Sequence, residues 1–213
     1  MPRNLLRLGL AGALGLCLTA SFVAKSVGLN ARECWFSNLD QDAPLLLNTL
    51  TCNDGQSPTY FDHPAQGVYA LYGVFFRVAK QLHLVPCSRF SEIQRHEDPL
   101  LLYPAIFPAG RAMSILIACL TVGCFGLAFP VYTGAVSWAW LAVAVLLCSP
   151  GLLFQSLLER SELTVLLGCS LSLLALASFK ENRSAITVLA AALAFGFAYG
   201  TKIHVLPLYL VLP

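Results

Sequence analysis

Charge is scarce in this chain. Of its 213 residues only 11% are Asp, Glu, Lys or Arg, while 57% are hydrophobic; soluble domains carry about a quarter charged residues. What charge there is leaves wide gaps, with none between Arg111 and Glu159, none between Glu162 and Lys180 and none between Arg183 and Lys202. The net charge of only +2 and the lack of a basic stripe with interleaved aromatics argue against a nucleic-acid partner. No P-loop, nucleotide-binding glycine motif, haem motif or zinc pattern occurs, which argues against a nucleotide-powered pump. Internal repeats and low-complexity tracts are absent as well.

What remains is apolar sequence in long pieces. Uncharged runs of about 17 to 25 residues match the length a helix needs to cross a hydrocarbon core, and the mean hydropathy is +0.71. The expected fold class is all-α, a polytopic transmembrane helical bundle. Spans are expected over residues 8–29, 112–132, 136–157, 163–179 and 184–201, with a sixth starting at 203–213. Lipid offers no partner for backbone amides and carbonyls, so each span must be a helix. Arg3 and Arg7 precede the first span, and Lys180 and Arg183 lie between the fourth and fifth. Short basic connections stay in the cytoplasm. The N-terminus is then cytoplasmic and the long loop 30–111 external. Read instead as a signal peptide, the first span would have an apolar core long for that role and no A-x-A site after it.

Within the external loop, residues 66–84 place Val68, Leu71, Tyr72, Phe75, Phe76, Ala79 and Leu82 at helical spacing, with Arg77, Lys80 and Gln81 on the other side. This is a juxtamembrane amphipathic helix, lying in the interfacial plane or buried against the bundle. Residues 86–110 carry prolines at 86, 99, 104 and 108 and read as irregular chain.

The same topology gathers polar residues at the external face: Asp40, Asp42, Asp62 and His63 from the loop, Glu159, Arg160 and Glu162 between the third and fourth spans, and Lys202 and His204 after the fifth. A lysine fully inside a bilayer costs about 2.5–3.5 kcal/mol, so Lys202 either snorkels to the interface or holds a phosphate. Each of the others has a plainer explanation too. Acids just after a span are often a solvated helix end, His-Pro is often a turn, and Glu159, Arg160 and Glu162 can form an exposed loop with a local ion pair of little worth.

The order of these parts resembles the N-terminal portion of a GT-C glycosyltransferase, the polytopic superfamily that includes protein O-mannosyltransferases and aminoarabinose transferases. Asp40-Gln41-Asp42 stands where that family has an acidic Asp-Glu motif. Tyr60-Phe61-Asp62-His63-Pro64 stands where it has Tyr-x-x-His/Lys-Pro-Pro. Arg111, the run Glu159-Arg160-Ser161-Glu162, and Gly200-Thr201-Lys202 also fall in matching places. The chain departs in having Asp-Gln-Asp, in a single proline after His63, and in stopping at Pro213 within an apolar run.

The resemblance implies a bacterial inner-membrane enzyme that moves a sugar from a polyprenyl-phosphate donor to a lipid, glycan or protein acceptor among membrane lipids. A carboxylate, Asp40 first and Asp42 second, would serve as general base. Lys202, Arg111, Arg160 and His63 would hold the donor phosphate, as positive charge must stabilise the leaving group, with Glu159, Glu162 and Asp62 in support. No cofactor is required, although some members use a divalent metal, and Asp40, Asp42 and Glu162 are the acids able to ligate one. Two other classes compete: a non-catalytic membrane subunit of a cell-envelope assembly, and a secondary transporter or lipid flippase, which would carry charge near the midplane on broken helices.

Cys17, Cys119, Cys124, Cys148 and Cys169 fall in expected spans as small apolar groups. Cys34, Cys52 and Cys87 lie in the external loop, where a Cys34–Cys52 disulfide would close a ring around Asp40 and Asp42.

Overall fold

The computed structural model describes residues 19–37, 39–59, 66–133, 135–158 and 161–201. Among the described residues all regular structure is helical. Helix α1 covers residues 19–32. It is followed by α2 (Leu39–Asn53), α3 (Gln66–Gln81), the short α4 (Phe90–Gln94), a 3₁₀ turn at Pro99–Leu101, α5 (Tyr103–Thr133), α6 (Val136–Leu147), α7 (Pro150–Ser156), α8 (Ser161–Asn182) and α9 (Ala185–Thr201).

Helix α5 is the hub, packing on α6, α7 and α8, while α8 pairs with α9. Small residues set two close crossings in this bundle. A Cβ on Gly168 would lie 2.8 Å from the Ala198 methyl and 3.1 Å from the Ala194 carbonyl, and one on Gly126 would lie 2.8 Å from Val143. Backbones approach this closely only where side chains are small. Helices α2 and α3 form a hairpin beside this bundle, and α3 reaches α5, α8 and α9. Their shared core contains Leu46 and Leu50 of α2, Val68, Tyr72 and Phe76 of α3, and Ile106 and Ile117 of α5, all fully buried. Removing a Val, Leu, Ile or Phe side chain from water contributes about 1.5–3 kcal/mol.

A polar corner closes the far end of the hairpin. The Asn53 amide donates to the carbonyls of Gly73 (3.1 Å) and Ser88 (2.8 Å). Asp54 accepts from the Ser91 amide and hydroxyl, both at 2.7 Å. Glu92 accepts from Lys80 at 3.2 Å and from the Ser88 amide at 2.8 Å. Beyond the end of α3, His83 is left-handed at φ 59, with His83 N–H bonded to the Lys80 carbonyl at 3.0 Å and Leu84 N–H to the Ala79 carbonyl at 2.8 Å. These two bonds make a Schellman closure, a role usually given to glycine.

Two described segments are long and apolar enough to cross a membrane, within Pro99–Phe129 and Ser161–Phe179; Ala185–Thr201 is apolar but shorter. The fourth and fifth expected spans coincide with α8 and α9. The second begins earlier than expected, since residues 103–110 are the first turns of α5 rather than irregular chain. Pro104 sits at the second helical position, where its missing amide costs nothing, and Pro108 forgoes a single bond. The third span is not one helix. It breaks at Cys148-Ser149, because Pro150 cannot continue α6 and Ser149 caps a new helix instead. Residues 8–18 of the first span, half of it, and the stretch 203–213 lie outside the described residues.

The expected stripe on α3 is partly rotated. Val68, Tyr72, Phe76 and Ala79 are buried together with Gly67, Tyr69 and Gly73, whereas Leu82 falls beyond the helix and is exposed. Val74 and Val78 face outward as well.

The Cys34–Cys52 disulfide is absent, and all seven described cysteines are free. The Cys34 carbonyl is tied to Arg111, which also holds Asp42 in the first turns of α2. Cys52 lies ten residues farther along the same helix, about 15 Å away, and disulfides need Cα atoms within about 7 Å.

Candidate functional site

The acidic motif and the arginine expected on the phosphate meet each other. Arg111 donates from Nε and Nη2 to Asp42 Oδ2, both at 2.9 Å, and both side chains are fully buried. The guanidinium also donates from Nη1 to the Cys34 carbonyl (3.3 Å) and from Nη2 to the Trp35 carbonyl (3.1 Å). One side chain of α5 therefore clamps the turn after α1 and the first turns of α2. Trp35 reinforces the clamp by packing against Tyr103 and Phe107 with ring centroids 5.4 and 5.7 Å away. Burying two charges is tolerable only when the pair is well aligned and the remaining donors are satisfied.

Asp40 also lies in the first turn of α2. At about 100° per residue its position is on the opposite side of the helix from position 42. The clamp that holds residue 42 inward thus directs position 40 away from the α5 contact.

One turn after Arg111, the Ser114 hydroxyl donates to the Leu158 carbonyl at 2.6 Å and accepts from the Tyr72 hydroxyl at 2.7 Å. This relay joins α5, α3 and the corner immediately before Glu159 and Arg160. On the other side of α3, Gly67 packs directly on Thr201 and Phe197 of α9, with no room for a side chain. Thr201, fully buried, is the residue before Lys202, and Gly67 follows His63 by four positions. Glu162 is in the first turn of α8 and Ser161 beside it is buried. Among the described residues, the first turns of α2, the start of α3, the early turns of α5, the end of α9 and the corner at Leu158 are linked by these contacts.

Asp42, Arg111 and Glu162 have described side chains. Asp40 has a described backbone only, and Asp62, His63, Glu159, Arg160 and Lys202 lie outside the described residues, as do Tyr60 and His204. Among the described residues no group of three His, Cys, Asp or Glu is placed to hold a metal ion.

In the polar corner, burial opposes the charge on Asp54 and Glu92, but hydrogen bonds outweigh it and hold both carboxyls below their usual range. Asp54 is held by the Ser91 hydroxyl and amide with help from Arg89, and Glu92 by the Ser88 amide and Lys80. Burial, with Glu92 nearby, pushes the Cys87 thiol up to about 11 against the pull of Lys80. Burial raises the Cys52 thiol as well. Neither thiol is poised to react.

Sequence reasoning missed the Tyr72–Ser114–Leu158 relay, which joins residues of unremarkable type. It also passed over Lys25, a charge inside the expected first span, and Pro150 inside the third; those two signals were visible. Comparison with protein-family models, with curated proteins and with solved structures finds no match for this chain.

Proposed function

We propose that this chain is a polytopic membrane domain of a glycosyltransferase, moving a sugar from a polyprenyl-phosphate donor to an acceptor at the bundle end where Asp42 and Arg111 lie. The observation that carries the reading is the convergence there of five separate segments: the start of α2, the entry to α3, the early turns of α5, the α7–α8 corner and the exit of α9. The outward faces support a lipid environment. Only 44% and 39% of the two spanning windows are buried, and Leu116, Leu120 and Leu127 of α5, Leu166 of α8 and Leu189 and Leu193 of α9 face outward. Soluble monomers rarely expose apolar area on that scale.

On this reading the acceptor hydroxyl attacks the anomeric carbon, Asp40 takes its proton, and the bond to the lipid phosphate breaks with its electron pair leaving on the phosphate oxygen. Lys202 stabilises that developing charge. Arg111, four of whose five N–H donors are already committed, acts by positioning α2 through Asp42 rather than by touching the donor. The external face of a bacterial plasma membrane suits such a lipid-linked donor.

The test uses the full-length protein reconstituted in vesicles with a short-chain polyprenyl-phosphate hexose, and reads transferred label. Asp40→Asn should lower the rate about 10²–10⁴-fold, the usual contribution of a general base, and Lys202→Ala should also lower it, with insertion and folding kept. Normal product from both variants overturns the reading in favour of a non-catalytic subunit. The interruption between α6 and α7 favours a transporter as the second reading; donor translocation without transfer in the same vesicles would establish it.

A further inference from the structure

The stretch 136–157 carries no charge, yet its helix is interrupted. Helix α6 stops at Leu147, and α7 begins at Pro150 with the Ser149 hydroxyl accepting from Leu152 N–H at 3.4 Å. Pro150 has no amide for the carbonyl four residues back. Irregular backbone at membrane depth is tolerated only where it is buried in protein or lines a cavity. Here it lines a cavity of about 340 Å³ whose opposite wall is α1, contributing Ser21, Phe22 and Lys25.

Helix α1 is fixed in that position by two contacts. The Ser26 and Ser156 hydroxyls are 3.4 Å apart, and the Asn30 amide donates to the Pro108 carbonyl at 3.1 Å. Lys25 lies five residues before Asn30, about 7.5 Å along α1, and directly before Ser26 in the chain. Among the described residues no carboxylate forms an ion pair with it. Lys25 is exposed and borders the cavity, and on the membrane reading an ionisable side chain on a spanning helix marks a site. Two features costly in lipid, a broken helix and a cation, therefore face each other across one cavity. The hydroxyls of Ser21 and Ser149 are beside them, and Phe22, Leu147 and Leu153 supply apolar walls.

We propose that this cavity holds the phosphate of a membrane lipid of net negative charge, with Lys25 as its counter-ion. The apolar walls select an anion that brings its own hydrocarbon chain. The inference rests on a membrane location but not on glycosyl transfer, and applies equally to a transporter or a subunit. A polyprenyl phosphate and an ordinary anionic phospholipid share this chemistry, and the experiment separates them.

Cys148 is exposed and free, and lines the same cavity, so its thiol can report occupancy. The full chain with its other cysteines replaced by alanine is placed in nanodiscs of phosphatidylcholine alone, with added phosphatidylglycerol, or with added polyprenyl phosphate. Maleimide modification of Cys148 is then timed in each. Anionic lipid should slow modification about fivefold, as one lysine–lipid contact allows. The protection should vanish in Lys25→Gln and persist in Lys25→Arg. Protection by both lipids assigns the site to bulk lipid, and protection by polyprenyl phosphate alone assigns it to that carrier; either supports the proposal. Equal rates in all three discs, protection that survives Lys25→Gln, or equal protection by inorganic phosphate in phosphatidylcholine discs overturns it.

Discussion

Arg111 makes four hydrogen bonds from full burial, two to Asp42 and one each to the carbonyls of Cys34 and Trp35. Removing one member of such a pair strands the other charge in a dry interior, at about 3–5 kcal/mol, whereas replacing both with apolar groups is often close to neutral. Asp42→Leu and Arg111→Met should therefore each lower the melting temperature in detergent sharply, and the double variant should recover most of the loss. Additive losses in the double variant would show that the two residues do not act as a pair. Both were legible in the sequence as unusual, an acid after one span and an arginine before another. Their partnership was not, because the contact joins positions 69 apart and no local pattern encodes a pairing at that distance. Lys25 is the reverse case: its oddity was plain from the expected span 8–29, and only the tertiary structure sets a cavity and the α6–α7 break beside it.

Among the elements, the polar corner around α4 is held by carboxylates whose pKa values are lowered on folding. Groups of this kind stabilise above their unfolded values, about 3.9 for Asp and 4.3 for Glu, and that stability is lost as pH falls through the lower folded values. Amide-exchange protection over residues 88–94, corrected for intrinsic rates, should fall as pH drops below about 4. Combining Asp54→Asn with Glu92→Gln should flatten that dependence; an unchanged profile would assign the corner's stability to other contacts.

The α8–α9 crossing depends on Gly168, where any side chain meets Ala198 and the Ala194 carbonyl. Gly168→Leu should cost about 1–3 kcal/mol by overpacking, seen as a lower unfolding midpoint. Gly196→Ala, with nothing within 4 Å, should show no such loss. Helices α8 and α9 were readable from their uncharged runs because each is continuous. The α6–α7 break was missed because hydropathy averages over a proline, and the early start of α5 because prolines near a helix N-terminus look like loop.

For the molecule as a whole, the proposed topology puts the turn after α2 outside the cell and the turn between α8 and α9 inside. In a background without native cysteines, Ser57→Cys should react with a membrane-impermeant maleimide on intact cells. Ser184→Cys should react only after permeabilisation. Labelling of both on intact cells would reject the orientation drawn from the basic residues.

Composition alone determined that this chain folds into helices with largely apolar faces, because runs so poor in charge satisfy their backbone groups most readily within themselves. The tertiary structure decided which polar groups share an end, which charge meets which, and where a helix breaks against a cavity. Those outcomes depend on contacts between segments far apart in the chain, and burial makes each contact strong enough to override what either segment would do alone.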